Sequence, residues 1–381
     1  MDLDLTEPQQ DFKEMLHDFA EKEIAPQARE LDDKAEFPYQ IQKKMAELGL
    51  FGLPIPEEYG GSGADFVTYA IAVEQISRVS ASLGITMAAH TSLGALPICL
   101  FGNEQQRQQW LIPLAQGSML GAFGLTEPEA GSDAGSTKTT AVLQDGQWVI
   151  NGTKCFITNS GTDITGIVII TAITGDHGGK KEISNIIVPG GAPGFIVSPS
   201  YQKMGWHSSD THELSFSDCG VPEGNLLGGR GEGFKQFLKV LDCGRIGVAA
   251  MSVGIAQACL DASVDYARTR VQFGRPIGRN QAVSFKCADM LVDVELARDA
   301  TWKAAWMADE GRDYSRQASI AKLFSSEAAM RAASNAVQIH GGYGYIEDYA
   351  VCRYFRDSKI LEIGEGTSEV QRIVLSRGLG L

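Results

Sequence analysis

The period of the hydrophobic pattern changes twice along this chain, and those two changes limit the architecture more than any other feature. From Thr6 to about Leu120 apolar residues recur at helical spacing. Phe12, Met15, Leu16 and Phe19 form one stripe, and Thr6-Glu7-Pro8 offers a cap and an early proline for its start. After Gly121 the runs shorten and alternate, at 147–150, 166–173, 183–188 and 213–216, with glycine and proline turns between them. From Gly233 the helical period returns and persists. No helix-length pattern interrupts the middle third, which predicts a β domain rather than alternating βαβ units. The expected fold is α+β in three parts. Residues 1–120 form an N-terminal helical domain, 121–230 a β-barrel or sandwich, and 231–381 a helical domain built on a four-helix bundle.

Within the first part, a break is expected over 33–38, and a helix near 40–48 stops at Gly49. Residues 67–79 and 81–100 are apolar nearly all round and are expected to be buried. Between Val79 and Leu100, His90 is the one ionisable side chain besides Cys99, and it reads as a satisfied core histidine. In the last part, helices are expected from 233 through Arg270, from 281 to 310 with Gly311 closing, from 315 to 340 before Gly341-Gly342, and over 367–377. The alanines Ala328, Ala329, Ala332, Ala333 and Ala336 suit either a subunit interface or an ordinary core.

Composition excludes several function classes. With 44% hydrophobic and 21% charged residues in 381, the chain reads as a soluble globular protein. A net charge of -14 argues against nucleic acid and against an anionic membrane surface as partners. No apolar run is expected to reach the length needed to span a bilayer, and the acidic Met1-Asp2-Leu3-Asp4 start resembles neither a signal nor a transit peptide, so a cytoplasmic location is expected. Seven cysteines without a CxxC pair read as free thiols, and six histidines without HxxxH or HExxH spacing predict no metal site. The glycine clusters at 60–63, 228–231 and 341–344 lack GxGxxG spacing and context, so a nicotinamide site is unsupported.

Chemistry is carried by a few segments. In Ile363-Gly364-Glu365-Gly366-Thr367-Ser368-Glu369-Val370-Gln371-Arg372, a carboxylate lies between two glycines at a helix start. It can serve as a general base, although on spacing alone an ordinary surface loop acid is the plainer reading. Phe123-Gly124-Leu125-Thr126-Glu127-Pro128-Glu129-Ala130-Gly131-Ser132-Asp133 lets backbone amides approach a planar or anionic ligand. Lys154-Cys155-Phe156-Ile157-Thr158-Asn159 places an aromatic and a hydroxyl two apart, on one face of a strand. Asp242-Cys243-Gly244-Arg245, Arg270-Val271-Gln272-Phe273-Gly274 with Gln281, and Gln338-Ile339-His340-Gly341-Gly342 complete the set.

These segments together resemble the acyl-CoA dehydrogenases from end to end, and among them the short-chain, butyryl-CoA dehydrogenase-like members of bacterial type. The resemblance implies α,β-dehydrogenation of an acyl-CoA thioester with FAD as cofactor. Glu365 would remove the α-proton, flavin N5 would take the β-hydride, and an electron-transfer flavoprotein would accept the electrons. It further implies that Phe123, Leu125, Thr126, Phe156 and Thr158 contact the flavin, with Thr158 near N5 and Phe156, often Trp in the family, against the ring. Arg270, Gln272, Phe273 and Gln281 would hold the FAD pyrophosphate and adenine, and Thr367 and Glu369 would add cofactor contacts. Gln338, Gly341 and Gly342 would reach the FAD of a neighbouring subunit in a homotetramer, a dimer of dimers. Ser132, Asp242, Arg245, Gly364 and Gly366 would line the acyl-CoA site.

For such a base to act, burial must lift its pKa from about 4.3 towards roughly 6–7. The thioester oxygen would be held by the Glu365 N–H and a ribityl hydroxyl. One departure stands out: Gly364 occupies a position where straight-chain members commonly carry tyrosine. Isovaleryl-type enzymes share such a glycine but carry the base on the helix that here contains Gly244. The expectation is a family-standard base in a widened pocket, taking a short, branched or cyclic acyl group. An oxygen-using oxidase of the same fold and a non-catalytic assembly factor are the alternatives.

Overall fold

A computed structural model describes residues 4–381. The N-terminal layer contains α1 (Glu7–Phe19), α2 (Ala25–Lys34), α3 (Tyr39–Glu47), α4 (Phe66–Val79), α5 (Ala81–Ala89), α6 (Leu96–Phe101), α7 (Glu104–Gln106) and α8 (Ile112–Ala115). Thr6 caps α1 reciprocally: its hydroxyl accepts the Gln9 N–H while the Gln9 side chain accepts the Thr6 N–H. Past the end of α3, Gly49 turns the chain at φ +73°. Asp65 and Ser80 cap α4 and α5, which are buried on nearly every face. A π-helical turn, His90–Ala95, joins α5 to α6 where one continuous α-helix was expected. His90 is fully buried there. Its Nδ1 accepts the Gly121 N–H, so Nε2 donates to the Leu114 carbonyl, and burial pushes its pKa down to about 4. It is a neutral strut between the helical layer and the sheet.

The sheet contains β1 (Leu120–Gly124), β2 (Thr140–Gln144), β3 (Gln147–Thr158), β4 (Thr165–His177), β5 (Lys180–Pro189), β6 (Phe195–Val197), β7 (Thr211–Pro222) and β8 (Leu226–Leu227). Its order is β6-β7-β3-β2-β4-β5-β8, with β1 added parallel to β4. The runs at 147–150 and 154–158 belong to one strand, β3, whose pairing with β7 is irregular between Ile150 and Gly152 and again between Lys154 and Ile157.

The C-terminal layer is built from α9 (Gly233–Thr269), a hairpin of β9 (Val271–Gln272) and β10 (Arg275–Pro276), then α10 (Gln281–Asp309), α11 (Ser315–His340), α12 (Ala350–Ser358) and α13 (Ser368–Gly378). The expected four long helices are three long ones and two short ones, because α12 was not anticipated and α13 is only 11 residues. The alanines of α11 are core residues with no exposed surface, so packing within the chain explains them. One expectation is corrected. By length and composition Ala81–Phe101 and Gly233–Thr269 are apolar enough to cross a membrane, but 83% and 94% of their most apolar windows lie inside the protein. Their apolarity serves the core that α4, α5, α9 and α11 share.

Candidate active site

Glu365 lies at a sharp reversal between α12 and α13. The Gly364 N–H bonds the Ile360 carbonyl at 2.8 Å, and then two successive residues adopt left-handed backbone, Glu365 at φ +56° and Gly366 at φ +88°. A non-glycine residue held there costs on the order of 1 kcal/mol, so neighbouring contacts must hold it. Gln371 Nε2 donates to the carbonyls of Glu365 (3.2 Å) and Gly366 (2.9 Å), and Lys322 Nζ donates to Gly366 at 2.8 Å. The Thr367 hydroxyl caps α13 by accepting the Val370 N–H. This turn directs the carboxylate inward. The residue as a whole is half-buried, yet Oε2 is shut off from solvent and accepts no hydrogen bond from the described residues. Burial pushes the Glu365 pKa up to about 7, against the opposing charges of Arg245 and Lys322. An ordinary surface loop acid does not fit this position.

The wall facing Glu365 is α9. A Cβ built on Gly244 would stand 2.6 Å from Glu365 Oε2, so the carboxylate occupies the space that only glycine leaves. The next residue, Arg245, has its guanidinium held within the chain. It is buried, pairs with Asp242 at 2.7 Å and donates to Ser319 Oγ at 3.2 Å. Asp242 also accepts from Ser315 and remains half-buried, with burial raising its pKa. Two residues of this region were not singled out from the sequence: Lys322 on α11, and Tyr69 on α4, whose buried hydroxyl lies near Ala88 and within electrostatic reach of Glu365.

A second group is gathered by β1, the loop after it, and β3. Phe123 is packed in the core, stacked on Phe237 at 5.7 Å between ring centres. Leu125 and Thr126 follow it, half-buried, and the Thr126 carbonyl accepts the Cys155 N–H at 2.9 Å. Ser132 is exposed on the same loop. Beneath them Lys154 and Glu127 form a buried ion pair of 2.7 Å, and Lys154 also donates to Leu125 O, Thr137 Oγ1 and Thr171 Oγ1. Glu127 further accepts from the backbone of Lys138 and Thr139, and although burial pushes its pKa up, these partners bring it down to about 2. Phe156 and Thr158 share a side of β3, but through an irregular backbone. Phe156 sits at φ +61° and leaves 66% of its surface exposed, with Tyr201 beside it at 5.2 Å.

The third group lies at the other end of α9. A cleft of about 460 Å³ is lined by Arg270, Gln272, His340, Gly341, Gly342 and Tyr343 among others. The Arg270 guanidinium lies over the Tyr343 ring, 5.4 Å from its centre. Gly341 and Gly342 have nothing within 4 Å of where a Cβ would be, so their backbone is open to a ligand. Gln281 and Gln338 are exposed, as is Glu369, and Phe273 at φ +52° is 98% exposed.

Three models of the acyl-CoA dehydrogenases match consecutive stretches: the N-terminal domain at 6–118, the middle domain at 122–219 and the C-terminal domain at 231–380. The chain belongs to the acyl-CoA dehydrogenase family. It is 53% identical over 380 residues to the "Probable acyl-CoA dehydrogenase YngJ" of Bacillus subtilis, covering 100% of both chains. Butyryl-CoA dehydrogenase from Megasphaera elsdenii superposes with a TM-score of 0.97 at 45% identity, covering 100% of each chain. A chain solved in work on the electron transferring flavoprotein of Acidaminococcus fermentans gives 0.96 at 48% identity, covering 100% of this chain and 99% of that one. Acyl-CoA dehydrogenases are FAD-dependent. One from Bacillus anthracis, solved with FAD, gives a TM-score of 0.91 at 34% identity, over 99% of this chain and 67% of that one. The residues of this acyl-CoA dehydrogenase fit such a cofactor. An exposed aromatic on a left-handed bulge suits a planar ring, and a guanidinium beside two open glycines suits a diphosphate.

Proposed function

We propose that this acyl-CoA dehydrogenase oxidises a short or branched acyl-CoA to the 2-enoyl-CoA, with Glu365 as the base that takes the α-proton. The observation that carries this reading is the buried, unpartnered Glu365 carboxylate with its pKa near 7. A base poised there is ionised for about half the molecules at neutral pH and strong enough to serve a thioester α-carbon. The left-handed turn and the carbonyl bonds from Gln371 and Lys322 orient it. FAD, when bound, supplies the acceptor of the β-hydride. Leu125, Thr126, Phe156 and Thr158 would hold its ring end, and Arg270, Gln272, Phe273, Gln281, Gln338, Gly341 and Gly342 its diphosphate and adenine end. Ser132 and Asp242 are the proposed contacts to the CoA portion.

Gly364 supports the short or branched acyl group. A Cβ there would meet only the Ile360 carbonyl, at 3.6 Å, so the space beside the base is open. An electron-transfer flavoprotein is the proposed electron acceptor. A homotetramer is the proposed assembly, and the length of α9 supports the part of it that brings a second chain to each cofactor. Gly244, against the base, and Thr269, beside the Arg270 cleft, are separated by about 38 Å of helix. That exceeds the reach of one extended dinucleotide and supports a cleft that serves a neighbouring subunit's cofactor.

The test is an anaerobic spectrum of the purified protein titrated with butyryl-, isobutyryl-, isovaleryl- and octanoyl-CoA. Bleaching of the flavin band by one of the first three, and its loss in Glu365→Gln, is the expected result. Bleaching by octanoyl-CoA alone, or an unaffected Glu365→Gln variant, would overturn the reading.

A further inference from the structure

Lys322 is a fully buried lysine in the middle of α11, flanked by Ala318, Ser319, Ala321, Ser325 and Ser326. Those small neighbours let α11 approach α9 and the Glu365 turn closely. A buried ammonium is costly unless its charge is met, and it is rarely kept without a partner. Among the described residues Lys322 is in no ion pair, and its one hydrogen-bond acceptor is the Gly366 carbonyl at 2.8 Å. The other cation near the base, Arg245, is paired with Asp242, although its charge still bears on Glu365. Lys322 is therefore the cation near the Glu365 carboxylate that has no ion-pair partner of its own among the described residues, and the carboxylate itself has an Oε2 without a partner there.

We propose that Lys322 is the positioning residue of the base: its ammonium clamps the carbonyl following Glu365 and adds a positive charge that favours the ionised carboxylate. This rests on Glu365 being the base. Two jobs are separable. The hydrogen bond to Gly366 helps Gln371 hold the left-handed pair, and the charge offsets the burial of the carboxylate. The charged or titratable groups around Glu365 are Arg245, Asp242 and Cys243 on α9, Tyr69 on α4, Lys322 on α11, and Glu362, Glu369 and Arg372 on the flanking turn and α13. Of these, Cys243 and Tyr69 are held neutral by burial, and Glu369 is exposed. When the α-proton arrives on Glu365, the carboxyl becomes neutral and the Lys322 charge loses its counterpart. The lysine thus favours the ionised, competent state before proton transfer.

The test measures kcat/KM against pH, with butyryl-CoA as substrate, for the intact holoenzyme and for Lys322→Met, Lys322→Gln and Lys322→Arg, together with each variant's unfolding midpoint. Loss of the charge should move the acid limb up by about one pH unit in the Met and Gln variants. Arg should restore the wild-type limb, and Gln, which can still donate to Gly366, should lose less rate at high pH than Met. An unmoved limb in both Met and Gln, with a uniform rate loss at every pH, would show a merely structural lysine and overturn the proposal. Glu365→Gln in the same assay separates the two claims: a wild-type rate there removes the base itself, whatever Lys322 does.

Discussion

Gly244 faces Glu365 so closely that a single methyl group on its α-carbon would stand 2.6 Å from the carboxylate oxygen Oε2. Gly244→Ala should therefore displace the carboxylate while leaving the helix intact, since alanine favours a helix interior more than glycine does. A displacement of about 1 Å at a reacting group is worth about 10²-fold. The expected outcome is a fall of that order in kcat/KM with an unchanged or raised unfolding midpoint, read from steady-state kinetics and thermal melts. Wild-type turnover by Gly244→Ala would show that the carboxylate does not act from this position.

The raised pKa of Glu365 makes a signed pH prediction. The base works when ionised, so kcat/KM should climb as pH rises through about 7 and then level off. Stability runs the other way. The folded pKa lies above the unfolded value of about 4.3, so this group's contribution is fully present below about pH 4 and is lost as pH rises through about 7. Glu365→Gln should lose about 10²- to 10⁴-fold in rate and gain in melting temperature relative to the native chain, more at pH 8 than at pH 5. Melts that show the same difference at both pH values would contradict a buried, strained carboxylate.

Replacing Gly364 by tyrosine tests the acyl preference. The backbone there is not left-handed and the space is open, so the ring can be accommodated without refolding the turn. Isovaleryl-CoA turnover should fall well below that of butyryl-CoA in Gly364→Tyr. Equal losses on the two substrates would remove Gly364 as a determinant of acyl shape.

What could be read beforehand follows a physical line. Thr6, Gly49, Gly311 and Gly341 announced helix boundaries because caps and left-handed turns depend on local residue type. The three-part fold was legible because a change of period is a property of many residues at once. Glu365 was visible as a candidate, but its burial was not, since burial depends on α9 and α11 arriving from elsewhere in the chain. The same limit hid Lys322, which reads as one more polar residue in an alanine-rich helix. It also hid the pairing of Arg245 with Asp242 and Ser319, which depends on α11 lying against α9. Phe156 was expected on a regular strand face; its left-handed backbone is set by the irregular pairing of β3 with β7, which no local pattern encodes.

Lys154 and Glu127 fasten the loop carrying Leu125 and Thr126 to the strand carrying Phe156. Removing one partner strands a buried charge, so Lys154→Met should cost about 3–5 kcal/mol of stability in urea unfolding. The double variant Lys154→Met with Glu127→Leu should recover a substantial part of that loss. A single variant as stable as the native chain would mean that the pair carries little of the loop's anchoring.

The length of α9 has one more consequence. If the ring end and the diphosphate end of each cofactor are held by different chains, loading becomes a mass-action problem in the protein itself. Dilution should strip flavin from the enzyme, and added FAD should drive lone chains back together. Mixing a chain damaged at Glu365 with one damaged at Arg270 should regenerate a minority of working sites, since some assemblies would draw an intact half from each parent.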